Sequence, residues 1–343
     1  MKKKEPPKNP PAIQSLRYNL FSQFIANDPN TVSNTIELWE SIPKYFLTPQ
    51  QVKKLRTKDG LANPYEWSYF LSGTPYAVKI QPALIEQSNG SYKAFFPGIT
   101  EELVEEALMK ILSYQGFGFH DPRNFQTRVF FSLSMLEKEL KNKGKTRNRN
   151  QIKQAIKVMS SCIITLYRNG DEFWSGSILS NLYTINRAEY LSDTDSLHAA
   201  YLPTFISLGI NLLEFRQFNY DRLMSCSEQL TRWLYKKLIN RYKQAGAENT
   251  YHINFSTIAI ESGFLQQRDA TDNRKKVIKA LKELINKDVI CSYKTKDHRK
   301  TRKIVDVTYL LRPSSEFIKE QKAANKRINY GIEKNKEAGI PIP

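Results

Sequence analysis

The chain has 343 residues, room for two or three domains each with its own core, and a net charge of +18 with a pI near 9.6. Such a balance points to a polyanionic partner, whether DNA, RNA or an anionic membrane surface. The sequence has no apolar run of about 18 residues, which excludes a membrane-crossing helix, and its three distant cysteines, Cys162, Cys226 and Cys291, exclude a disulfide or zinc framework.

The cysteines are expected to be reduced, buried thiols. The start, Met1-Lys2-Lys3-Lys4-Glu5-Pro6-Pro7, has no apolar stretch behind it and is not a signal peptide, so a cytoplasmic protein is expected. Residues 1–34 form a flexible basic, Pro-rich arm. Its apolar patch, Leu16-Arg17-Tyr18-Asn19-Leu20-Phe21, either docks Leu20 and Phe21 in a partner's groove or packs on the chain itself. From Thr35 to Phe96 the pattern is strand-like, with turns at Ser72-Gly73-Thr74-Pro75 and Asn89-Gly90.

At Pro97 the period lengthens. Thr100 is expected to cap a helix whose first turns carry Glu101, Glu102, Glu105 and Glu106, a favourable sign against the helix dipole. Val129–Leu133 reads as a strand, and Ser134 as the cap of a helix through Leu140 that Gly144 ends. A further helix from Arg147 to Ser161 buries Ile152, Ala155, Ile156 and Met159 and turns Arg147, Asn150, Gln154 and Lys157 outward. The segments Ile163–Tyr167 and Phe173–Ile185, around Arg168-Asn169-Gly170-Asp171, predict a long hairpin. Lys138 to Lys157 holds eight Lys or Arg against one acid, Glu139.

The same order then recurs. Phe215–Arg222 is expected to be a joint able to pivot. Ser225-Cys226-Ser227-Glu228 reads as a capping box opening a helix that carries Arg232, Lys236, Lys237 and Arg241 outward. Phe255–Ser262 is a short helix stopped at Gly263. From Asp272 to Asn286 the stripe Val277, Ile278, Leu281, Leu284 and Ile285 faces away from Lys275, Lys276, Lys279 and Lys282. Two strands, Val289–Tyr293 and Lys303–Leu310, flank a loop from Thr295 to Arg302. Lys294 to Lys303 has six Lys or Arg and one Asp, a crowding that repels itself unless an anion neutralises it. The expected fold is α+β, two tandem winged helix-turn-helix domains (35–215, with a small β-rich extension in front, and 216–312), followed by a C-terminal tail, 313–343, mobile from Lys322 onward.

Helix, turn, basic helix and basic hairpin suit duplex DNA, the second helix entering the major groove. The candidate contacts are Arg147, Asn150, Gln154 and Lys157 in the first domain. In the second they are Asn273, Arg274, Lys275, Lys276 and Lys279 on the helix, with Lys296, Arg299, Lys300 and Arg302 on the hairpin. Asn273, Arg274 and Lys275 are the candidate base readers, since Arg pairs bidentately with guanine and Asn with adenine. No catalytic residue, metal site or cofactor is expected. Gly144-Lys145-Thr146 fails as a phosphate loop because Glu139 stands where its first glycine is required. The histidines His120, His198, His252 and His298 are scattered, without the pair that a metal-dependent nicking enzyme needs. A rolling-circle nickase therefore ranks below a winged-helix transcriptional regulator, and both rank below the following reading.

Pro97-Gly98-Ile99-Thr100-Glu101-Glu102-Leu103-Val104-Glu105-Glu106-Ala107-Leu108 opening the first domain, and Leu230-Thr231-Arg232-Trp233-Leu234-Tyr235-Lys236-Lys237-Leu238 opening the second, resemble the replication initiator (Rep) proteins of theta-replicating bacterial plasmids. The resemblance covers about residues 95–312. It implies binding of direct repeats (iterons) in an origin, melting of an adjacent A·T-rich segment, and recruitment of host replisome proteins, a helicase and the sliding clamp among them. It also implies an equilibrium of monomer and homodimer. Leu20-Phe21 looks like the clamp-binding peptide of some such initiators, with Arg17 where a glutamine is typical.

Overall fold

The computed structural model describes residues 21–25, 31–114, 116–185, 196–266 and 269–337. Its first part runs β1 (Val32–Ile36), α1 (Glu37–Glu40), α2 (Pro49–Leu55), β2 (Tyr65–Leu71), β3 (Thr74–Gln81), β4 (Ala83–Glu86) and β5 (Tyr92–Phe95). Next come α3 (Ile99–Leu112), β6 (Gly118–Asp121), β7 (Gln126–Phe131), α4 (Leu133–Asn142), α5 (Arg149–Ser161), β8 (Ile163–Arg168) and β9 (Asp171–Gly176). Then follow β10 (Ser180–Ile185), β11 (Leu197–Tyr201), α6 (Thr204–Asn211), β12 (Phe215–Asn219), α7 (Tyr220–Ser225) and α8 (Gln229–Arg241). The last part is β13 (Tyr251–Asn254), α9 (Phe255–Ser262), α10 (Ala270–Asn286), β14 (Ile290–Lys300), β15 (Lys303–Pro313) and α11 (Ser315–Glu337). The fold is α+β, with antiparallel sheets ordered β2-β3-β8-β9, β10-β11-β7-β6 and β13-β15-β14, and two-stranded ladders β1-β12 and β4-β5.

Several helix starts differ from expectation. The α3 N-cap is Gly98, whose N–H donates to Glu101 Oε2 at 2.8 Å, while Thr100 Oγ1 accepts from Arg147 Nε at 3.2 Å. Ser132, not Ser134, caps α4 by accepting the Met135 N–H at 3.2 Å. At α8 no residue of the segment 225–228 caps with its own side chain: Glu283, on α10, accepts from Ser227 N–H and Oγ, at 2.6 and 2.8 Å, and from Thr231 Oγ1 at 2.6 Å. A cap supplied by another helix leaves no local signature, which is why the chain order misplaced it. Gly263 does end α9 as expected, in the left-handed conformation at φ 70°, and a Cβ there would lie 2.7 Å from Phe46 Cγ.

The expected hairpin Phe173–Ile185 is instead two strands in two sheets: β9 pairs with β8, and β10 with β11. The expected loop Thr295–Arg302 is mostly strand. β14 and β15 run eleven residues each and turn at Thr301 and Arg302, with Tyr293 opposite Leu311, Thr295 opposite Tyr309 and Asp297 opposite Val307. The alternating apolar residues that hold this ladder lie on β15, so β14 read alone looks like a charged loop.

The joint at 215–222 is no pivot. Phe215, Arg216, Phe218 and Tyr220 are buried, and β12 pairs along its length with β1, from Val32↔Asn219 to Ile36↔Phe215. The boundary at residue 34 therefore falls inside a strand. The C-terminal segment is also a helix and not a tail: α11 buries Phe317, Gln321, Ala324, Gly331 and Asn335. Arg216 Nη2 donates to Gln321 Oε1 at 2.6 Å and Asn325 Oδ1 at 2.9 Å, and Arg222 pairs with Glu320 at 2.5 Å. Gln321 and Asn335 interrupt the apolar residues of this face, which weakens its hydrophobic period. Cys162 and Cys226 are buried and Cys291 is exposed, against the expectation of three buried thiols.

The cations of α8 do not face outward. Arg232 is 2% exposed and donates from Nε and Nη2 to the two Glu102 oxygens at 2.8 Å each. Lys236 sits between Glu106 and Glu40, the latter at 2.8 Å, while Lys237 pairs with Glu261 and Arg241 with Glu37. The acidic first turns of α3 are the counter-surface: Glu105 accepts from Trp39 Nε1 at 2.6 Å and Tyr45 OH at 2.8 Å. A charged row facing solvent and one facing an oppositely charged row have the same period, so spacing alone could not separate them.

Candidate nucleic-acid interface

The packing of α10 divides its residues sharply. Asn273, Val277, Ala280, Leu281 and Leu284 are buried. Asn273 is 6% exposed and belongs to the buried stripe one turn before Val277, so it is not available as a base reader. As a polar residue on a buried stripe it carries no hydrophobic signal in the sequence. On the opposite side lies a shallow hollow of about 460 Å³ lined by Thr271, Arg274, Lys275, Ile278, Lys279 and Lys282. Arg274 is half-buried, within 3.5 Å of Thr271 Oγ1. Lys275 pairs with Asp272 at 3.0 Å and Lys279 with Glu228 at 2.5 Å, both on largely exposed side chains. Exposed pairs of this kind contribute little and exchange readily for a phosphate. Lys276 is exposed as well.

The β14–β15 hairpin adds a second cationic surface. Lys294, Lys296, Lys300, Arg302 and Lys303 are exposed and make no ion pair among the described residues, and Arg299 pairs with Asp297 at 3.0 Å. The ladder slips between His298 and Arg299, leaving Val305 without a cross-strand partner and 58% exposed. A bulge of this kind turns a side chain away from the ladder.

In the first half, α5 begins at Arg149, capped by Asn148, which accepts the Gln151 N–H at 2.9 Å. Asn150, Gln154 and Lys157 are exposed on one side of it, together with Lys153, which spacing and charge had not singled out. Leu182 and His198 flank this face, as do residues 85–88 of the β4–β5 hairpin. Arg147 lies before the helix and is tied to Thr100 and to the Thr146 carbonyl, at 2.9 Å, so it braces α3 instead of projecting. Of the eight cations between 138 and 157, Lys143 pairs with Asp221, Lys145 donates to the Cys226 carbonyl, and Arg149 pairs with Glu137. With Arg147, that leaves Lys138, Lys141, Lys153 and Lys157 as the exposed cations not used internally. The β8–β9 hairpin turns at Asn169 (φ 54°) and Gly170 (φ 94°), and Asp171 and Glu172 beside Arg168 leave it no cationic tip. The two halves share an order of elements but not an electrostatic surface.

Leu20 lies outside the described residues. Phe21 is half-buried, with ring centroids 6.1 Å from Phe24 and 6.0 Å from His120, so its ring is engaged by this chain and not presented to a partner. Among the described residues no helix is long and apolar enough to cross a membrane, and no group of three His, Cys, Asp or Glu is placed to hold a metal ion.

No protein-family model matches the chain, and no curated protein does. Solved structures similar to it include two of RctB domains and one of the Pi initiator protein. Domains 2 and 3 of RctB match at 12% identity over 80% of this chain and 97% of that one, with a TM-score of 0.49. A second structure of the same RctB domains matches at 12% identity over 79% and 97%, with a TM-score of 0.45. The Pi initiator protein in complex with iteron DNA matches at 13% identity over 84% and 99%, with a TM-score of 0.37.

Proposed function

We propose that the chain is a non-enzymatic replication initiator of the plasmid type that binds duplex DNA through two tandem winged-helix units. These are α3–α4–α5 with β8–β9, and α8–α9–α10 with β14–β15. The observation that carries the reading is the pairing of an exposed cationic helix face, Lys275, Lys276, Lys279 and Lys282 on α10, with an adjacent cationic hairpin. Helix and hairpin together supply a base-contacting element and a phosphate-contacting one, which is the division of labour that duplex recognition requires. The first unit contributes Lys153, Lys157, Asn150 and Gln154, with fewer free cations and no basic hairpin, so it is the weaker contact.

Two units of fixed spacing in one chain favour directly repeated sites over a palindrome. Melting of neighbouring DNA and recruitment of a helicase belong to the same reading through the resemblance alone; contact with a sliding clamp would require Phe21 to leave its packing. Selection of duplexes from a random pool, followed by permanganate probing of the selected site beside an A·T-rich segment, tests the reading. Recovery of direct repeats with strand opening is expected; equal retention of all duplexes, or a covalent DNA–tyrosine adduct, contradicts it.

Arg274→Ala is expected to cost about 1–3 kcal/mol at the selected site and to relax base preference. Asn273→Ala should instead lower folding stability while leaving base preference unchanged, because its side chain is buried. Parallel binding isotherms on selected and scrambled duplexes, with a denaturant titration, distinguish the two outcomes.

A further inference from the structure

Ile278 stands out on the exposed side of α10. The fully buried stripe is complete without it, since Val277, Ala280, Leu281 and Leu284 occupy the core-facing side. One residue of helix turns about 100°, which carries Ile278 off that stripe to half-burial, packed against the core along one edge and open on the other. There it shares the hollow with Thr271, Arg274, Lys275, Lys279 and Lys282. These positions recur at i, i+3, i+4, i+7, i+8 and i+11, a single helix face. The result is an apolar patch with a rim of cations and a hydroxyl.

That combination is poorly suited to a phosphate, which gains nothing from a branched aliphatic side chain. It is also too shallow to enclose a small molecule. It suits the edge of a base pair in the major groove, where the only apolar group on offer is the C5 methyl of thymine. Resting on the proposal that α10 enters the major groove, we infer that Ile278 reads a thymine through that methyl. Arg274 stands four residues earlier, roughly 6 Å along the axis, so the guanine it reads lies one or two base steps from the thymine, on the order of 3.4 Å each. The recognised sequence therefore carries a G and a T in close succession at the centre of the second unit's contact.

Deoxyuridine differs from thymine only by lacking the methyl, so it isolates this contact. Each thymine of the selected duplex is replaced singly by deoxyuridine, and binding is measured for wild type, Ile278→Ala and Ile278→Val. Wild type should show one sensitive position beneath α10 with a loss of about fourfold, the effect of one buried methyl-sized group. Ile278→Ala should abolish that sensitivity, and Ile278→Val should keep most of it, which guards against a variant that is merely destabilised. Sequence-specific binding with no deoxyuridine-sensitive thymine, or with equal sensitivity in wild type and Ile278→Ala, overturns the inference and leaves the DNA-binding reading intact. Failure of wild type to prefer any duplex overturns the proposed function itself, and this inference with it.

Discussion

Lys236→Met is expected to destabilise the chain by about 3–5 kcal/mol, the range for removing one partner of a buried ion pair. The ammonium lies between the carboxylates of Glu106 and Glu40 and is held well above its ordinary pKa; burial opposes this, and the attraction of Glu106 and Glu40 outweighs it. Methionine fills much the same volume but leaves the Glu40 and Glu106 carboxyl groups facing each other out of water with no cation between them. The loss is a large fraction of the stability of an ordinary domain. Guanidinium unfolding measures it, with Lys282→Met as an exposed control; a difference below about 1 kcal/mol between the two variants would show that the junction does not rely on this charge.

The same site sets a pH dependence. Burial raises the Glu106 carboxyl from 4.5 to about 7 despite Lys236, with Glu40 and Glu105 pushing the same way. Between those values the folded chain holds a proton that the unfolded chain has released, so stability from this group is full at low pH and falls as pH rises towards 7. Glu106→Gln, fixed in the uncharged form, should remove that slope. If wild type and Glu106→Gln respond identically between pH 5 and 8, the assignment is wrong.

The largest effect on binding is expected from the second hairpin. Replacing Lys296, Arg299, Lys300 and Arg302 together by glutamine should weaken binding to every duplex about a hundredfold or more at physiological salt. It should also lower the slope of log K against log salt by about 0.9 for each phosphate that is no longer neutralised, up to roughly 3.6. The four side chains are exposed and leave the β14–β15 ladder intact, so folding should be unaffected. The weakening should be equal on selected and scrambled duplexes, in contrast to Arg274→Ala. An unchanged salt slope would place the hairpin away from the phosphates.

What the sequence made legible were features whose signal is local. The Phe255–Ser262 helix with its Gly263 stop, the Val277, Leu281 and Leu284 part of the α10 stripe and the cationic character of 294–303 could be located from spacing and charge; Ile278, expected on that stripe, lies instead beside Lys275, Lys279 and Lys282. What it hid were features completed by a distant partner. Glu283 caps a helix that lies far from it in the chain, and β12 is buried because β1 pairs with it. Arg232 and Lys236 of α8 point inward because the α3 carboxylates meet them, Lys237 and Arg241 are met by Glu261 and Glu37, and Gln321 and Asn335 interrupt the buried face of α11. The candidate site followed the same rule. The exposed lysines of α10 were apparent from charge and period, whereas the burial of Asn273 and the hydrogen bonds that tie the half-exposed Arg147 to Thr100 and the Thr146 carbonyl were not.

The central claim is that α5 and α10 of one chain contact the same duplex at separate places. Hydroxyl-radical footprinting on a selected duplex tests it most directly, comparing wild type with Lys153→Ala/Lys157→Ala and with Lys275→Ala/Lys279→Ala. Two protected patches about one helical turn apart are expected, the first pair of substitutions erasing one patch and the second pair the other. A single patch indifferent to the α5 substitutions would contradict the claim.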